Sequence, residues 1–180
     1  MKKVIVFLAK GFEEIEAISI IDVLRRAEVS VTTVSISKEK EVKGAHNVPV
    51  VADKLFDDVD FASYDMIVLP GGMPGAKNLQ EHEGVKKQVE VFEKDKHVGA
   101  ICAAPMVLGG MGLLKGRRAT CYPGFEAELI GATITNEEVT VDGNIITGKG
   151  PAFAMKFALQ LVETLAGKAT RNEVSNGLLL

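Results

Sequence analysis

Three continuous runs of apolar residues, at 4–9, 66–69 and 98–101, constrain the fold of this chain more than any other sequence feature. Short runs without polar residues are typical of strands that are buried on both faces, as in a parallel sheet. A helical pattern at 13–27 and a strand pattern at 29–36 follow the first run and complete a βαβ unit. The alternation predicts a doubly wound α/β sandwich with a mostly parallel central sheet.

The remaining segments have weaker patterns, and each gives a separate expectation. The expected elements are a hairpin or edge excursion within 40–52, an irregular acidic stretch at 53–63, a helix at 78–94, a short helix at 125–130, two strands within 133–146 that turn at Asp142 and Gly143, and a last helix from Pro151 to about Ala166.

Composition limits the class of protein. The chain has 180 residues, 47% of them hydrophobic, and a net charge of −3. We expect one domain over residues 1–180, with no membrane-spanning segment and no nucleic-acid surface. The apolar run near the N-terminus is short and acidic residues follow it, so we interpret it as a strand and not as a signal peptide. Two cysteines without a disulfide framework favour the reducing cytoplasm.

Cys102 lies where the strand at 98–101 meets an apolar helical pattern at 104–108. A strand that turns sharply into a helix exposes the side chain at the junction, as in a nucleophile elbow. Nearby backbone N–H groups would favour a thiolate at this position. The alternative is a small buried hydrophobic residue, which is the common role of a single cysteine in an apolar segment.

The carboxyl ends of parallel strands meet at one edge of the sheet, where doubly wound folds bind ligands. Four features are expected there as neighbours: the acidic turn after the first strand, the turn at Gly71 and Gly72, Cys102, and the turn at 148–151. Gly72 allows close approach of the main chain, and the N–H of Ala103 follows the cysteine as oxyanion donors commonly do. Both are candidate donors to a developing negative charge.

Glu16 is the candidate acid opposite the cysteine. At 100° per residue it lies at the margin of the apolar face of its helix, whereas Glu14 falls on the far side. A carboxyl on a packed face needs a partner or a raised pKa. We expect a protonated Glu16 beside an ionised Cys102; the alternative is a structural acid bonded to nearby N–H groups.

The three histidines are not expected to form a catalytic pair with Cys102. His97 precedes the cysteine by a full strand and falls at the opposite edge of the sheet, His82 lies in a charged segment, and His46 lies at a loop tip. Surface positions are expected for all three. Cys121 falls in a loop and is interpreted as incidental.

Four segments resemble the ThiJ/PfpI superfamily, in its Parkinson disease protein 7 branch: LAKGFEEIEA at 8–17, VLPGG at 68–72, AICAAP at 100–105 and GKGP at 148–151. The resemblance implies a flavodoxin-like three-layer sandwich, similar to class I glutamine amidotransferases, and a homodimer. It also implies that Cys102 is the oxidation-sensitive nucleophile, that Glu16 is the protonated acid, and that Gly72 and Ala103 supply N–H donors.

The activities implied by the resemblance are a cofactor-independent glyoxalase, a deglycase for methylglyoxal or glyoxal adducts, and protection against oxidative stress with chaperone-like behaviour. Three positions depart from the family pattern. Ala103 stands where the peptidase branch has histidine, Tyr122 stands where human-like proteins have a histidine near the site, and His46 replaces an arginine of the dimer region.

Three hypotheses about function follow. The first is a cysteine-dependent enzyme that converts small α-oxoaldehydes, or their adducts on proteins, to 2-hydroxy acids without a metal or an organic cofactor. The second is a redox sensor or holdase in which Cys102 is oxidised. The third is an intracellular peptidase or amidase, which requires that a partner subunit supply a base.

Overall fold

The computed structural model describes residues 1–180, which form eleven strands and five helices. The strands are β1 Lys3–Leu8, β2 Ser30–Ser35, β3 Glu41–Lys43, β4 Pro49–Val51, β5 Lys54–Leu55, β6 Met66–Leu69, β7 His97–Ile101, β8 Arg118–Ala119, β9 Thr133–Ile134, β10 Val139–Asp142 and β11 Ile145–Gly148. The helices are α1 Glu14–Arg26, α2 Gly75–Glu81, α3 Glu83–Asp95, α4 Pro105–Gly110 and α5 Ala154–Gly177. Single 3₁₀ turns occupy Phe56–Asp58, Phe61–Ser63, Glu126–Glu128 and Pro151–Phe153.

Seven strands form the central sheet in the order β10-β11-β7-β6-β1-β2-β5. All neighbouring pairs are parallel except β10 with β11. The consecutive strands β2-β1-β6-β7-β11 follow the 2-1-3-4-5 order of flavodoxin-like sheets, in which ligands bind at the carboxyl edge. The predicted α/β class with a mostly parallel, flavodoxin-like sheet is therefore confirmed.

The strands that the apolar runs predicted form the centre of the core. All four residues of β6 are buried, as are the last four of β7 and the last five of β1. Each large aliphatic side chain removed from water in this way contributes about 1.5–3 kcal/mol. The core therefore fixes these three strands and, with them, the positions at which their carboxyl ends emerge.

The predicted helix at 78–94 is wrong in its extent, because the chain forms two helices that meet at His82. The His82 side chain caps α3: its Nδ1 accepts the N–H of Val85 at 3.1 Å. Its ring also lies 4.7 Å from the ring of Phe56, so the residue is half-buried. The surface position expected for His82 is therefore incorrect, since a charged sequence neighbourhood does not report the capping contact.

The later part of the chain confirms the hairpin turns and corrects three other expectations. β3 pairs with β4, and β10 turns into β11 at Gly143 as expected. The first strand of the pair predicted within 133–146 begins only at Val139, because Thr133–Ile134 forms a separate strand, β9, that pairs with β8. The predicted helix at 125–130 is a single 3₁₀ turn. The last helix continues beyond Ala166 after a break at Gly167, where a φ of 87° interrupts the helical geometry. None of the helices is both long enough and apolar enough to cross a membrane.

Candidate active site at the carboxyl edge of the sheet

Cys102 occupies the sharp turn between β7 and α4 with a φ of 64°. This left-handed conformation is uncommon for a residue with a side chain and stores strain of about 1 kcal/mol or more. Two hydrogen bonds hold it: the Cys102 N–H donates to the oxygen of Gly148 at 2.9 Å, and its own carbonyl accepts the N–H of Tyr122 at 2.8 Å. The elbow is thus fixed from both sides, and the thiol is buried with 7% of the residue exposed.

Glu16 faces this thiol from the first turns of α1. The residue has no exposed surface, and its Oε2 accepts the N–H of Gly71 at 2.8 Å. Its second oxygen, Oε1, is buried and accepts no hydrogen bond. A carboxyl that keeps one oxygen unpaired in the protein interior is strongly biased toward the neutral form. The neutral acid can donate its proton to the sulfur.

Gly71 and Gly72 bring the end of β6 against the elbow. A Cβ at Gly71 would lie 2.6 Å from the Cβ of Cys102 and 2.7 Å from Oε2 of Glu16, so a side chain there would displace both. Gly72 has a φ of 87°, a conformation that glycine adopts without strain. The N–H groups of Gly72 and Ala103 act to lower the pKa of the Cys102 thiol.

The four sequence features expected at this edge do lie together. The N–H of Glu13 donates to the oxygen of Gly71 at 2.9 Å, which joins the turn after β1 to the glycine turn. Gly71 in turn bonds Glu16, and Cys102 bonds Gly148. The predicted meeting of these segments at the carboxyl edge is therefore confirmed.

The pKa values of the acid and the thiol are coupled. Burial raises the pKa of Glu16 to about 7, although the Cys102 thiol and the N–H of Gly71 act in the other direction. Burial also raises the pKa of Cys102, and so does a charged Glu16, while the N–H groups of Gly72 and Ala103 lower it. The net direction for the thiol is upward, which differs from the lowered pKa expected from the sequence.

The main reason for this difference is burial of the thiol, and the second is that two negative charges are unfavourable in one dry site. The part of the upward shift that Glu16 causes exists only while its carboxyl is charged. When the carboxyl keeps its proton, only burial raises the pKa of Cys102, and the N–H groups of Gly72 and Ala103 lower it. The pair therefore holds at most one negative charge at neutral pH, and the thiolate forms only with a neutral Glu16.

The histidines lie apart from the sulfur, and none of them bonds it. Nδ1 of the exposed His46 lies 2.9 Å from Oε2 of Glu14, His82 caps α3, and His97 begins β7 at the opposite edge of the sheet. The arrangement has no thiol–imidazole pair of the kind that cysteine peptidases use. His97 is half-buried and its Nδ1 is buried, so the surface position expected for it is also incorrect, and burial lowers its pKa.

The role of Glu14 was not recognised from the sequence, and Tyr122 was placed near the site only by the family resemblance. Glu14 holds the loop between β3 and β4, because its Oε1 accepts the N–H of His46 at 2.7 Å. Tyr122 lies beside the elbow, bonded through its N–H to Cys102. The pattern Cys-Tyr-Pro at 121–123 was the available signal for Tyr122, but it marks only a loop.

Glu13, Glu14 and His46 are the residues with metal-ligand character nearest to the site. Each places one oxygen or nitrogen atom within 4.8 Å of the others. The hydrogen bonds between Glu14 and His46, and the bond from the Glu16 N–H to Oε2 of Glu13 at 2.8 Å, account for this arrangement without an ion. Glu13 caps α1 through that last bond.

The fold is a flavodoxin-like α/β sheet, and its carboxyl edge carries a cysteine on a strained strand-to-helix turn with a buried acid beside it. These features define a flavodoxin-like protein with a cysteine at a nucleophile-elbow position. The chain belongs to the DJ-1/PfpI family, whose sequence profile matches residues 2–164. The resemblance noted in the sequence is thereby confirmed.

Individual relatives agree with this assignment. Protein DJ-1 homolog B of Arabidopsis thaliana is 41% identical over 99% of this chain, although the chain spans only 42% of that relative's length. The glutathione-independent glyoxalase DJ-1 of Schizosaccharomyces pombe is 33% identical over 99% of this chain and 98% of its own. The solved structure of oxidized Toxoplasma gondii DJ-1 superposes with a TM-score of 0.95 at 38% identity, covering 99% of this chain and 98% of its own.

Proposed function

We propose that this protein is a cofactor-independent, cysteine-dependent glyoxalase and deglycase. It would act on methylglyoxal or glyoxal and on the adducts that these aldehydes form with amines. The observation that carries the proposal is the buried pair of Cys102 and Glu16, which meet at Gly71, together with the N–H groups of Gly72 and Ala103, which act to lower the pKa of the thiol. The 33% identical glyoxalase of Schizosaccharomyces pombe supports the same reaction class.

In the first step the Cys102 thiolate attacks the aldehyde carbon of methylglyoxal and forms a hemithioacetal. The carbonyl oxygen becomes negatively charged during this attack. Gly72 and Ala103 supply N–H donors at this position, which are preorganised because the surrounding backbone is fixed. A proton from the neutral Glu16 neutralises the oxygen, and this explains why a buried acid with a pKa of about 7 suits the step.

In the second step the Glu16 carboxylate removes the proton from the former aldehyde carbon and delivers it to the adjacent carbon. The proton of the hemithioacetal hydroxyl passes to the ketone oxygen in the same rearrangement, so the ketone becomes an alcohol and the hemithioacetal becomes a thioester. Water then hydrolyses the thioester and releases lactate and the free thiol. For an amine adduct of the same aldehyde, the thiolate displaces the amine, and the neutral Glu16 protonates the nitrogen as the C–N bond breaks; the same hemithioacetal forms and the protein amine is restored.

The direct test replaces the sulfur. Cys102→Ser in purified, metal-free protein should lower kcat/KM for lactate formation from methylglyoxal by about a thousandfold or more. Cys121→Ser is the matched control, because this second cysteine is also buried but lies outside the elbow, and only burial and the charge of Glu126 act on its pKa, both raising it. Turnover by Cys102→Ser at the level of the unchanged protein would overturn the proposal.

A second candidate function uses the same sulfur as a redox sensor with chaperone-like behaviour. N–H groups that stabilise a charged oxygen also stabilise a cysteine sulfinate. The similarity to the oxidized form of Toxoplasma gondii DJ-1 favours testing it. Graded peroxide followed by mass spectrometry should place two added oxygen atoms on Cys102 before Cys121, because backbone N–H groups act on the sulfur of Cys102 and not on that of Cys121. Oxidation first at Cys121 would contradict this function.

We further propose that the protein acts as a homodimer through an apolar surface on α1 and the β3–β4 hairpin. Ile15 and Ile18 are three residues apart on α1 and exposed by 59% and 46%, and Val51 of the hairpin is exposed by 68%. Glu14 fastens the hairpin to this helix. Ile18→Glu should shift the sedimentation coefficient from dimer to monomer, and an unchanged value would contradict this surface.

A further inference from the structure

A groove opens beside the elbow and is not used by the chemistry described above. Its volume is about 220 Å³, and its lining includes Tyr122, Pro123, Pro151, Ala152 and Phe153. These are two aromatic rings, two prolines and a methyl group. Lys149 contributes the single charged side chain, and no carboxylate lines the groove. The groove therefore suits an uncharged apolar group and disfavours a cationic one.

The two loops that form the groove are both fastened to the backbone of Cys102. The loop at 122–123 is held by the hydrogen bond from the Tyr122 N–H to the Cys102 oxygen at 2.8 Å. The loop at 149–153 directly follows Gly148, whose oxygen accepts the Cys102 N–H at 2.9 Å. The two walls of the groove are therefore adjacent to the turn that carries the sulfur.

The Tyr122 ring has a defined position in this wall. A Cβ built on Gly150 would lie 3.1 Å from Cδ2 of Tyr122 and 3.6 Å from its Cε2, so the ring packs against the bare backbone of the glycine. The remaining ring surface is open, since Tyr122 is 45% exposed. An exposed aromatic face next to a second aromatic residue, Phe153, is a favourable surface for a third ring.

We propose that this groove is the subsite for the carbon substituent of the α-oxoaldehyde, and that the protein prefers aryl-substituted substrates such as phenylglyoxal to methylglyoxal. The inference rests on the proposed glyoxalase function and adds its substrate class. An apolar cavity of about 150 Å³ is sufficient for a benzene molecule. The groove, with about 220 Å³, accommodates one phenyl ring. Tyr122 and Phe153 are the residues that determine specificity.

The test compares initial rates on phenylglyoxal and methylglyoxal as a ratio of kcat/KM values, because a ratio removes effects common to both substrates. Loss of one aromatic contact corresponds to about a two- to tenfold change. Tyr122→Ala should lower the ratio by about fivefold, whereas Tyr122→Phe, which keeps the ring, should retain it. Val91→Ala, an exposed apolar position on α3, is the surface control and should leave the ratio unchanged. An unchanged ratio in Tyr122→Ala would overturn the proposal.

A second pair of measurements separates this proposal from the glyoxalase reaction and from misfolding. The ligand for saturation-transfer NMR is mandelate, the product expected from phenylglyoxal. Saturation should be transferred from the protein to the ring protons of mandelate, and this transfer should be lost in Tyr122→Ala and kept in Tyr122→Phe. Gly150→Ala, which pushes the Tyr122 ring from its position, should weaken the same transfer while circular dichroism stays native. If neither aldehyde is turned over, the proposed function fails, and the NMR result still decides whether the groove binds an aryl group. Transfer equal in all variants would contradict the subsite.

Discussion

Glu14 and Glu16 lie two residues apart in the first turn of α1, and the protein shifts their pKa values in opposite directions. Glu16 points inward, and its burial raises its pKa to about 7. Burial also acts to raise the pKa of Glu14, but hydrogen bonds from His46 and Val48 on the β3–β4 hairpin outweigh it and lower the value. Hydrogen-bond donors, and not burial alone, therefore decide whether a carboxyl in this turn is charged. Glu14 fastens structure, whereas Glu16 remains available for proton transfer.

Gly72 lies against the inner side of this turn, near Glu16, and Gly44 lies against Glu14 on the outer side. Replacing each glycine by alanine should give the largest difference in the free energy of unfolding. A Cβ at Gly72 would meet only backbone, with Gly11 O at 2.6 Å and Phe12 C at 2.7 Å, and φ is 87°. Gly72→Ala should therefore lower the free energy of unfolding by about 3 kcal/mol or more. A Cβ at Gly44 would meet only the Glu14 side chain, which can move, so Gly44→Ala should cost about 1 kcal/mol. Equal losses in urea denaturation would show that the inner face is not the more rigid one.

Glu16→Gln should change how stability depends on pH. The folded pKa of Glu16, about 7, lies above its ordinary value of 4.5, so the protonated carboxyl favours the folded state fully below pH 4.5. This contribution is lost as the pH rises through 7, and its size is about 3 kcal/mol. Relative to Glu16→Gln, the unchanged protein should therefore lose about that much unfolding free energy between pH 4.5 and pH 8. If the free energy of unfolding depended on pH in the same way in both proteins, the Glu16 pKa would not be raised by folding.

Glu14→Gln should show the opposite slope with a smaller amplitude. The pKa of Glu14 is lowered in the folded protein, so its contribution is present above pH 4.5 and is lost as the pH falls through the folded pKa. The amide keeps one acceptor oxygen but loses the charge, which should cost about 1 kcal/mol at pH 7. Denaturation at pH 7 and at pH 3 measures the effect, and a loss that is the same at both values would contradict the assigned role.

The smallest expected effect is a titration shift at His46. The hydrogen bond and the charge of Glu14 raise the pKa of His46. In Glu14→Gln, NMR titration should show the His46 pKa returning toward its ordinary value. His97 is the internal reference, because its pKa is lowered by burial at the other edge of the sheet and should not respond. A His46 pKa that stays raised would mean that Glu14 is not its partner.

Features encoded by neighbouring residues were predicted from the sequence, whereas features that depend on contacts between distant residues were not. The junction of β7 with α4 and the fully buried strand β6 are encoded by residues that are adjacent in the chain, so their apolar pattern located them. The break at His82 depends on contacts with Phe56 and Val85, and the loop contact of Glu14 with His46 spans 32 residues. Helical periodicity placed Glu14 correctly on the far side of α1 but contains no information about what covers that side.

The sequence by itself determined the parallel sheet, the elbow at Cys102 and the candidate acid Glu16, because apolar runs, glycine turns and helix periodicity are local properties. Only the tertiary structure decided the charge states and the surroundings of the sulfur. The bond from Gly71 to Glu16 joins residues 55 positions apart, and the aromatic groove combines Tyr122 with Phe153 from another loop. A pKa and a binding surface depend on desolvation and on donors from distant segments, which no local pattern contains.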